Sequence, residues 1–205
     1  HRGTEKIGEN ITYTMFIPYT DRLDYIAAPS CNLAWVQAVE SFFDWEIPGR
    51  ALFIRSIVAE LSRIASHLLW LATHALDIGA MTVFLWCFRE REMVLDLFER
   101  AFGARLTVNA FRLGGLYQDV PQEFLDDARK FIELFPDRVD DYETLLTENR
   151  IWLQRTRGVG VISAEDALDY GLTGPILRAS GVKWDLRRAK PYAAYPYVNF
   201  TIPVG

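Results

Sequence analysis

The sequence predicts a mainly α fold, α+β overall: a helical bundle core followed by a loop-rich, partly extended C-terminal segment. Three observations carry this reading. Between Arg50 and Phe102 apolar residues recur at three- and four-residue spacing. Proline and glycine punctuate the helical blocks at Pro48-Gly49, Gly103, Pro121 and Pro136. Beyond Gly174-Pro175 the periodicity gives way to Gly181, Pro191 and Pro196. Residues 1–160 read as a helical core domain, and residues 161–205 as a short helix plus a loop and edge-strand segment of the same domain.

The elements follow in order. His1-Arg2-Gly3-Thr4-Glu5-Lys6 can open a helix, and Pro18 closes that part. Residues 30–45 read as the first clear helix. Pro48 suits the entry to the next, which runs from Arg50 to about His74 with Leu52, Ile54, Ile57, Val58, Leu61, Ile64, Ala65, Leu68 and Leu69 as its apolar face. Arg55, Glu60, Ser62 and Arg63 lie between those positions. A break is expected near Asp77-Ile78-Gly79-Ala80, then a helix to Phe102 with Gly103 as its C-cap. A further helix is expected from Gln122 to Phe135, ended by Pro136, and another from Arg138 to Asn149. Ser163 with Asp166 three residues on is a helix start, and Gly171 is near its stop. Tyr197 to Pro203 alternates weakly, as an edge strand does.

Composition narrows the function. The chain has 205 residues, 50% hydrophobic with six Trp, so it can bury a sizeable core. A net charge of −5 provides no general attraction to nucleic acid or anionic lipid. Cys31 and Cys87 are far apart, which indicates neither a disulfide framework nor a cysteine-ligated metal, and a reducing compartment is the simplest reading. Both ends read as cuts through a longer protein. The run from His67 to Phe88 is long enough to cross a bilayer. Asp77 would then lie near its middle at a cost of about 3 kcal/mol, and charged residues crowd both flanks, so a helix buried in protein is expected.

Two places could carry chemistry. Asp21-Arg22-Leu23-Asp24-Tyr25 puts two acids, a base and a phenol into five residues at the entry to a helix. It reads either as a helix-capping cluster, with Arg22 neutralising Asp21 or Asp24, or as a reactive group. Asp77 sits in the apolar run Leu76 to Ala80. It either caps the helix that starts at about Met81 or is a proton-handling acid facing another segment. His67 and His74 could share a helix face, but without a third ligand nearby they are not read as a metal site. Arg89-Glu90-Arg91-Glu92 reads as a solvated or subunit-facing charge run, and Phe111-Arg112-Leu113-Gly114-Gly115 lacks the spacing of a phosphate loop.

A resemblance runs through these motifs. The segments His1 to Lys6, Asp21 to Tyr25, Thr73 to Ala80, Phe88 to Glu92, Phe111 to Gly115, Glu148 to Trp152 and Asp169 to Gly174 resemble, in family order, the 49-kilodalton-type (D-type) subunit of respiratory complex I. The resemblance implies a hydrogenase-large-subunit-like fold and a quinone-site subunit of a proton-pumping NADH:quinone oxidoreductase. It implies that Tyr25 hydrogen-bonds the quinone headgroup together with a His outside this chain, and that Asp77 pairs with that His. Arg2 and Arg22 would lie beside the terminal iron–sulfur cluster held by the neighbouring B-type subunit. The chain itself would hold no cofactor, while the complex uses NADH, FMN and iron–sulfur clusters.

Implied partners are the B- and C-type subunits of complex I, its membrane-arm subunits and quinone, with no nucleic acid. The implied location is peripheral, on the cytoplasmic face of a bacterial inner membrane or the matrix side of a mitochondrial one. The family is also similar to the large subunits of nickel–iron hydrogenases. There a CxxC pair at the Asp21–Tyr25 position binds the metals, and this chain has no cysteine in that slot. Thr107 follows Gly103-Ala104-Arg105-Leu106 where several members carry a His, and Ala27 replaces a Ser seen in some. Two other readings are a related quinone- or cofactor-linked dehydrogenase with a different electron input, and a non-catalytic scaffold between a soluble and a membrane arm.

Overall fold

The computed structural model describes residues 2–205, so His1 of the first motif lies outside the described residues. The structure is mainly α and divides into two compact units, one running to Glu148 and the other Asn149–Gly205.

The first unit starts with α1 (Thr4–Gly8) and α2 (Tyr13–Thr20), the latter capped by the Thr12 hydroxyl, which accepts from the Met15 N–H at 3.3 Å. Pro18 does not close this part. It lies inside α2, which continues because Ile17 and Thr20 are buried on either side of it. α3 (Ala28–Glu40) carries Pro29 in its first turn and buries Leu33, Val36 and Val39. It ends five residues before the expected limit. The Phe42 and Phe43 N–H groups bond to Val39 and Glu40, three residues back, tightening the last turn, and Phe42 and Phe43 are left exposed.

α4 (Gly49–Ile78) and α5 (Met81–Phe102) make the most extensive contact of the unit. The break between them falls where expected. Gly79, at φ 101, adopts the left-handed conformation, and the Ala80 N–H reaches back to the Ala75 carbonyl at 2.7 Å. Gly103 ends α5 in the same way, at φ 76. Ala65, Ala72 and Ala75 of α4 are buried, as are Val83, Cys87 and Val94 of α5. Among the described residues no helix is long and apolar enough to cross a membrane. Arg55 and Ser62, read as lying between the apolar positions of α4, are both buried, because that helix is covered over more than one face.

β1 (Phe111–Arg112) and β2 (Gly115–Leu116) form a small antiparallel hairpin with Phe111 opposite Leu116. Its two-residue turn needs glycine at Gly114, where φ is 83. α6 (Gln122–Leu146) is one helix and not two. Pro136 removes one backbone hydrogen bond, yet Phe124, Ala128 and Phe131 before it and Tyr142 and Leu146 after it are all buried, and that packing carries the helix through. Tyr142 donates to Glu90 at 2.6 Å, tying α6 to α5. The Arg89–Glu92 run is only partly a surface run: Glu90 and Arg91 are buried, while Arg89 and Glu92 are exposed.

In the second unit α7 (Arg150–Thr156) starts at Asn149, whose side-chain oxygen accepts from the Ile151 and Trp152 N–H groups. α8 (Ala164–Asp169) starts at Ser163, which accepts from the Asp166 N–H at 3.0 Å as the motif requires. Gly174-Pro175 opens a further helix, α9 (Gly174–Ala179), where a loop was expected, because proline suits a first turn. α10 (Leu186–Ala189) is capped by Asp185. The expected edge strand over Tyr197–Pro203 is absent among the described residues. A 3₁₀ turn covers Tyr195–Tyr197, and Phe200 packs under the guanidinium groups of Arg187 and Arg188, 4.9 and 5.2 Å from its centroid. The alternation serves that packing and no ladder.

Candidate functional site

Asp21 to Tyr25 forms the connection between α2 and α3 as a run of turns. The Arg22 and Leu23 N–H groups bond to the Tyr19 and Thr20 carbonyls, and the Ala27 N–H to the Asp24 carbonyl. Asp24 accepts from the Ile26 N–H at 3.2 Å, closing its own turn. The segment does not cap α3, whose N-cap is Ala27 with no side-chain bond. The capping reading is thereby removed.

The turn is anchored from below by Asn32. Its amide donates to the Ile17 carbonyl at 3.3 Å and to the Thr20 hydroxyl at 3.1 Å, while its oxygen accepts from the Phe111 N–H at 3.0 Å. One fully buried side chain thus joins α2, α3 and β1. The hairpin is itself clamped by a buried ion pair. Arg55 donates to both oxygens of Glu40, at 2.9 and 2.7 Å, and to the carbonyls of Arg112 and Gly115, at 2.8 and 2.9 Å. Glu40 also accepts from the Gly114 N–H at 2.8 Å. These contacts clamp the Phe111–Gly115 hairpin to α3 and α4.

Tyr25, at the end of the run, stands 61% exposed. Arg22 points outward, donates to the Pro18 carbonyl at 2.7 Å and lies 3.9 Å from Asp21. Asp21 is the opposite of its neighbours. It is fully buried, and its carboxylate oxygens make no hydrogen bond of good geometry, although the Asn109 N–H and the Arg22 and Arg112 charges act on it. Burial pushes its carboxyl up to about 6, against the nearby Arg22 charge, the Asn109 backbone N–H and the Arg112 charge.

Asp77 is exposed in the last turn of α4, with His74 stacked on Trp70 one turn earlier. It does not cap α5, whose N-cap is Ala80 with no side-chain bond. A carboxylate at a helix C-terminus faces the negative end of the dipole, a modest penalty of about 0.3–1 kcal/mol for an exposed side chain. Arg2 is exposed beside α1. Among the described residues no hydrogen bond or ion pair joins Tyr25, Asp77, Arg2 and Arg22 to one another.

Cys31 is half-buried on α3, Cys87 is buried in α5 with its thiol pushed up to about 11 by burial and by Glu90, and among the described residues no three His, Cys, Asp or Glu converge. Asn32 and Arg55 are the supporting residues that reading the sequence missed. The available signal was a polar side chain at a core position of each helix, between Pro29 and Val36 and beside Ile54 and Val58.

Residues 77–205 match the family described as respiratory-chain NADH dehydrogenase, 49 Kd subunit. The whole chain is 58% identical to the NADH-quinone oxidoreductase D subunit of Geotalea uraniireducens and 59% identical to that of Geobacter sulfurreducens, covering 53% of each. It is 55% identical to the second NADH-quinone oxidoreductase C/D subunit of Aquifex aeolicus, covering 35% of that protein. The chain thus spans about half the length of the D-type relatives it matches. On the residues matched and the identity over its full length, this chain belongs to the 49 Kd subunit family of respiratory-chain NADH dehydrogenase.

Proposed function

We propose that this chain carries part of the quinone-reducing site of a proton-pumping NADH:quinone oxidoreductase. The observation that carries the reading is Tyr25, an exposed phenol on the turn after α2, whose end Asn32 ties to β1. Reducing a quinone by two electrons consumes two protons, and an exposed phenol can hydrogen-bond the headgroup and deliver one of them. Asp77, ill placed for its own helix dipole, is suited to hold a cationic or N–H donor from a segment outside this chain, in family terms a His. Arg2 and Arg22, both exposed, supply positive charge beside a neighbouring subunit's iron–sulfur centre and favour its reduced form.

In this reading electrons reach the quinone from the neighbouring subunit's iron–sulfur centre and ultimately from NADH. The B- and C-type subunits and the membrane arm are the partners, and the location is peripheral, on the cytoplasmic or matrix face of the energy-conserving membrane. The exposed Trp70, Leu76, Met81 and Leu85 around the α4–α5 tip are apolar surface suited to such neighbours.

The test is Tyr25→Phe in the full-length protein within its assembled complex. NADH:quinone turnover should fall by about a hundredfold or more, while reduction of an artificial electron acceptor, which needs assembly but not the phenol, stays unchanged. Wild-type quinone turnover in that variant would refute the reading.

A further inference from the structure

Among the described residues two arginines are buried, and they stand in opposite states. Arg55 is met by both oxygens of Glu40 and by the carbonyls of Arg112 and Gly115. Arg91 of α5 is 8% exposed, and among the described residues no hydrogen bond or ion pair reaches its guanidinium. Its Nε is wholly enclosed without a partner, and the guanidinium carbon lies 5.7 Å from the centre of the Phe88 ring. That ring compensates a cation in part but offers no acceptor to five N–H donors. The charges nearby do not supply one. Glu92 attracts Arg91 and Arg105 repels it. Glu92, Asp96 and Glu99, however, stand exposed on the adjoining face of α5, where Arg105 binds all three. A desolvated guanidinium without an acceptor is costly to the fold, and a carboxylate is the group that offsets the cost.

The helix surface leading to Arg91 is incompletely covered. Met81 and Leu85 are exposed, Phe84 and Phe88 are half-buried with their ring centroids 4.6 Å apart, and with Arg91 they recur at three- and four-residue spacing. This is an apolar stripe that ends on an unpaired cation. We propose that a segment of the D-type subunit outside residues 1–205 lies along this stripe and sets a carboxylate on the Arg91 guanidinium. The chain covers 53% of its D-type relatives, so nearly as much polypeptide again is at hand to supply that segment. Its chemistry follows from what it meets: apolar side chains against Met81, Phe84, Leu85 and Phe88, and one Asp or Glu whose two oxygens match the guanidinium fork. The same polypeptide is a better source than a neighbouring subunit. Arg91 is already buried by this half of the subunit, so an anion that arrived only on assembly would leave the subunit to fold around an unpaired charge.

The test uses the full-length subunit in its assembled complex and two variants. Arg91→Met keeps an apolar stem on the Phe88 ring and removes the guanidinium. A carboxylate paired there is then stranded, and amide exchange over residues 84–98 of α5 should quicken by roughly 10²–10⁴. Exchange equal to or slower than wild type overturns the pairing, because removing an unpaired buried cation does not loosen the helix. Arg91→Lys places an amine at the same position for zero-length coupling by a water-soluble carbodiimide. The amine and the carboxylate join in an amide, and the reagent takes up the water lost and leaves as a urea. Mass spectrometry should find α5 joined to an Asp or Glu of the same subunit outside residues 1–205. Changing that residue to Asn or Gln in the Arg91→Met background should return exchange to within about tenfold of wild type. A product with another subunit, a product with Glu92 or any other carboxylate of residues 1–205, or no product at all overturns the proposal. If Arg91→Met does not assemble, the coupling product of Arg91→Lys alone decides.

Discussion

Removing the Arg55 guanidinium should loosen the β1–β2 hairpin that it clamps to α3. The Arg55 side chain is wholly buried and that of Glu40 nearly so. Arg55→Ala strands the Glu40 carboxylate without its cation and leaves the Arg112 and Gly115 carbonyls without their donor. Breaking a buried pair in this way costs about 3–5 kcal/mol, most of it the desolvated charge left behind. That figure already includes the orphaned carbonyls in part, so the two costs are not added. The readout is amide hydrogen exchange over residues 109–117 in the assembled complex, where the Gly114 N–H is bonded directly to Glu40. An opening made easier by about 3–5 kcal/mol speeds exchange by roughly 10²–10⁴. A double variant, Arg55→Met with Glu40→Leu, removes both charges and should exchange more slowly than Arg55→Ala. Unchanged exchange in Arg55→Ala, or a double variant looser than either single one, would refute the clamp.

Three other outcomes are expected. Asp77→Asn should impair quinone turnover while leaving assembly intact, because the amide keeps the shape and loses the charge; equal turnover of the Asn and Asp forms would show that the charge has no partner. The Asp21 carboxyl is raised from 3.8 to about 6 in the folded state. The folded protein therefore binds more protons there, stability falls as pH rises through that window, and the full cost, about 3 kcal/mol, is present at neutral pH. Asp21→Asn should accordingly flatten the change in thermal midpoint between about pH 4 and 6, and an unflattened curve would contradict the burial argument. Tyr142→Phe removes a buried hydrogen bond to a carboxylate and should cost about 1.5–3 kcal/mol. A thermal midpoint equal to wild type would show that Glu90 finds another donor.

The sequence by itself determined the features whose chemistry is local. The mainly α class, the break between α4 and α5, the end at Gly103 and the Ser163 start all depend on groups within a few residues of one another: a glycine at positive φ, or a hydroxyl three residues before the N–H it accepts from. The Asp21–Tyr25 segment was legible as a candidate site for the same reason, since its acids, base and phenol stand together in the chain. Only the tertiary structure decided which of those side chains faces in. Asp21 turns inward and Tyr25 outward because loop residues near Asn109 and Arg112 close over the turn. The supports come from equally far away: Glu40 and Arg55 are 15 residues apart, Glu90 and Tyr142 are 52, and Asn32 and Phe111 are 79. Such pairs leave no local spacing to read. The same long-range packing carried α6 through Pro136 and gave the C-terminal alternation a cation–aromatic contact instead of a strand. Local backbone chemistry is written in neighbouring residues, whereas burial and charge pairing exist only once distant segments meet.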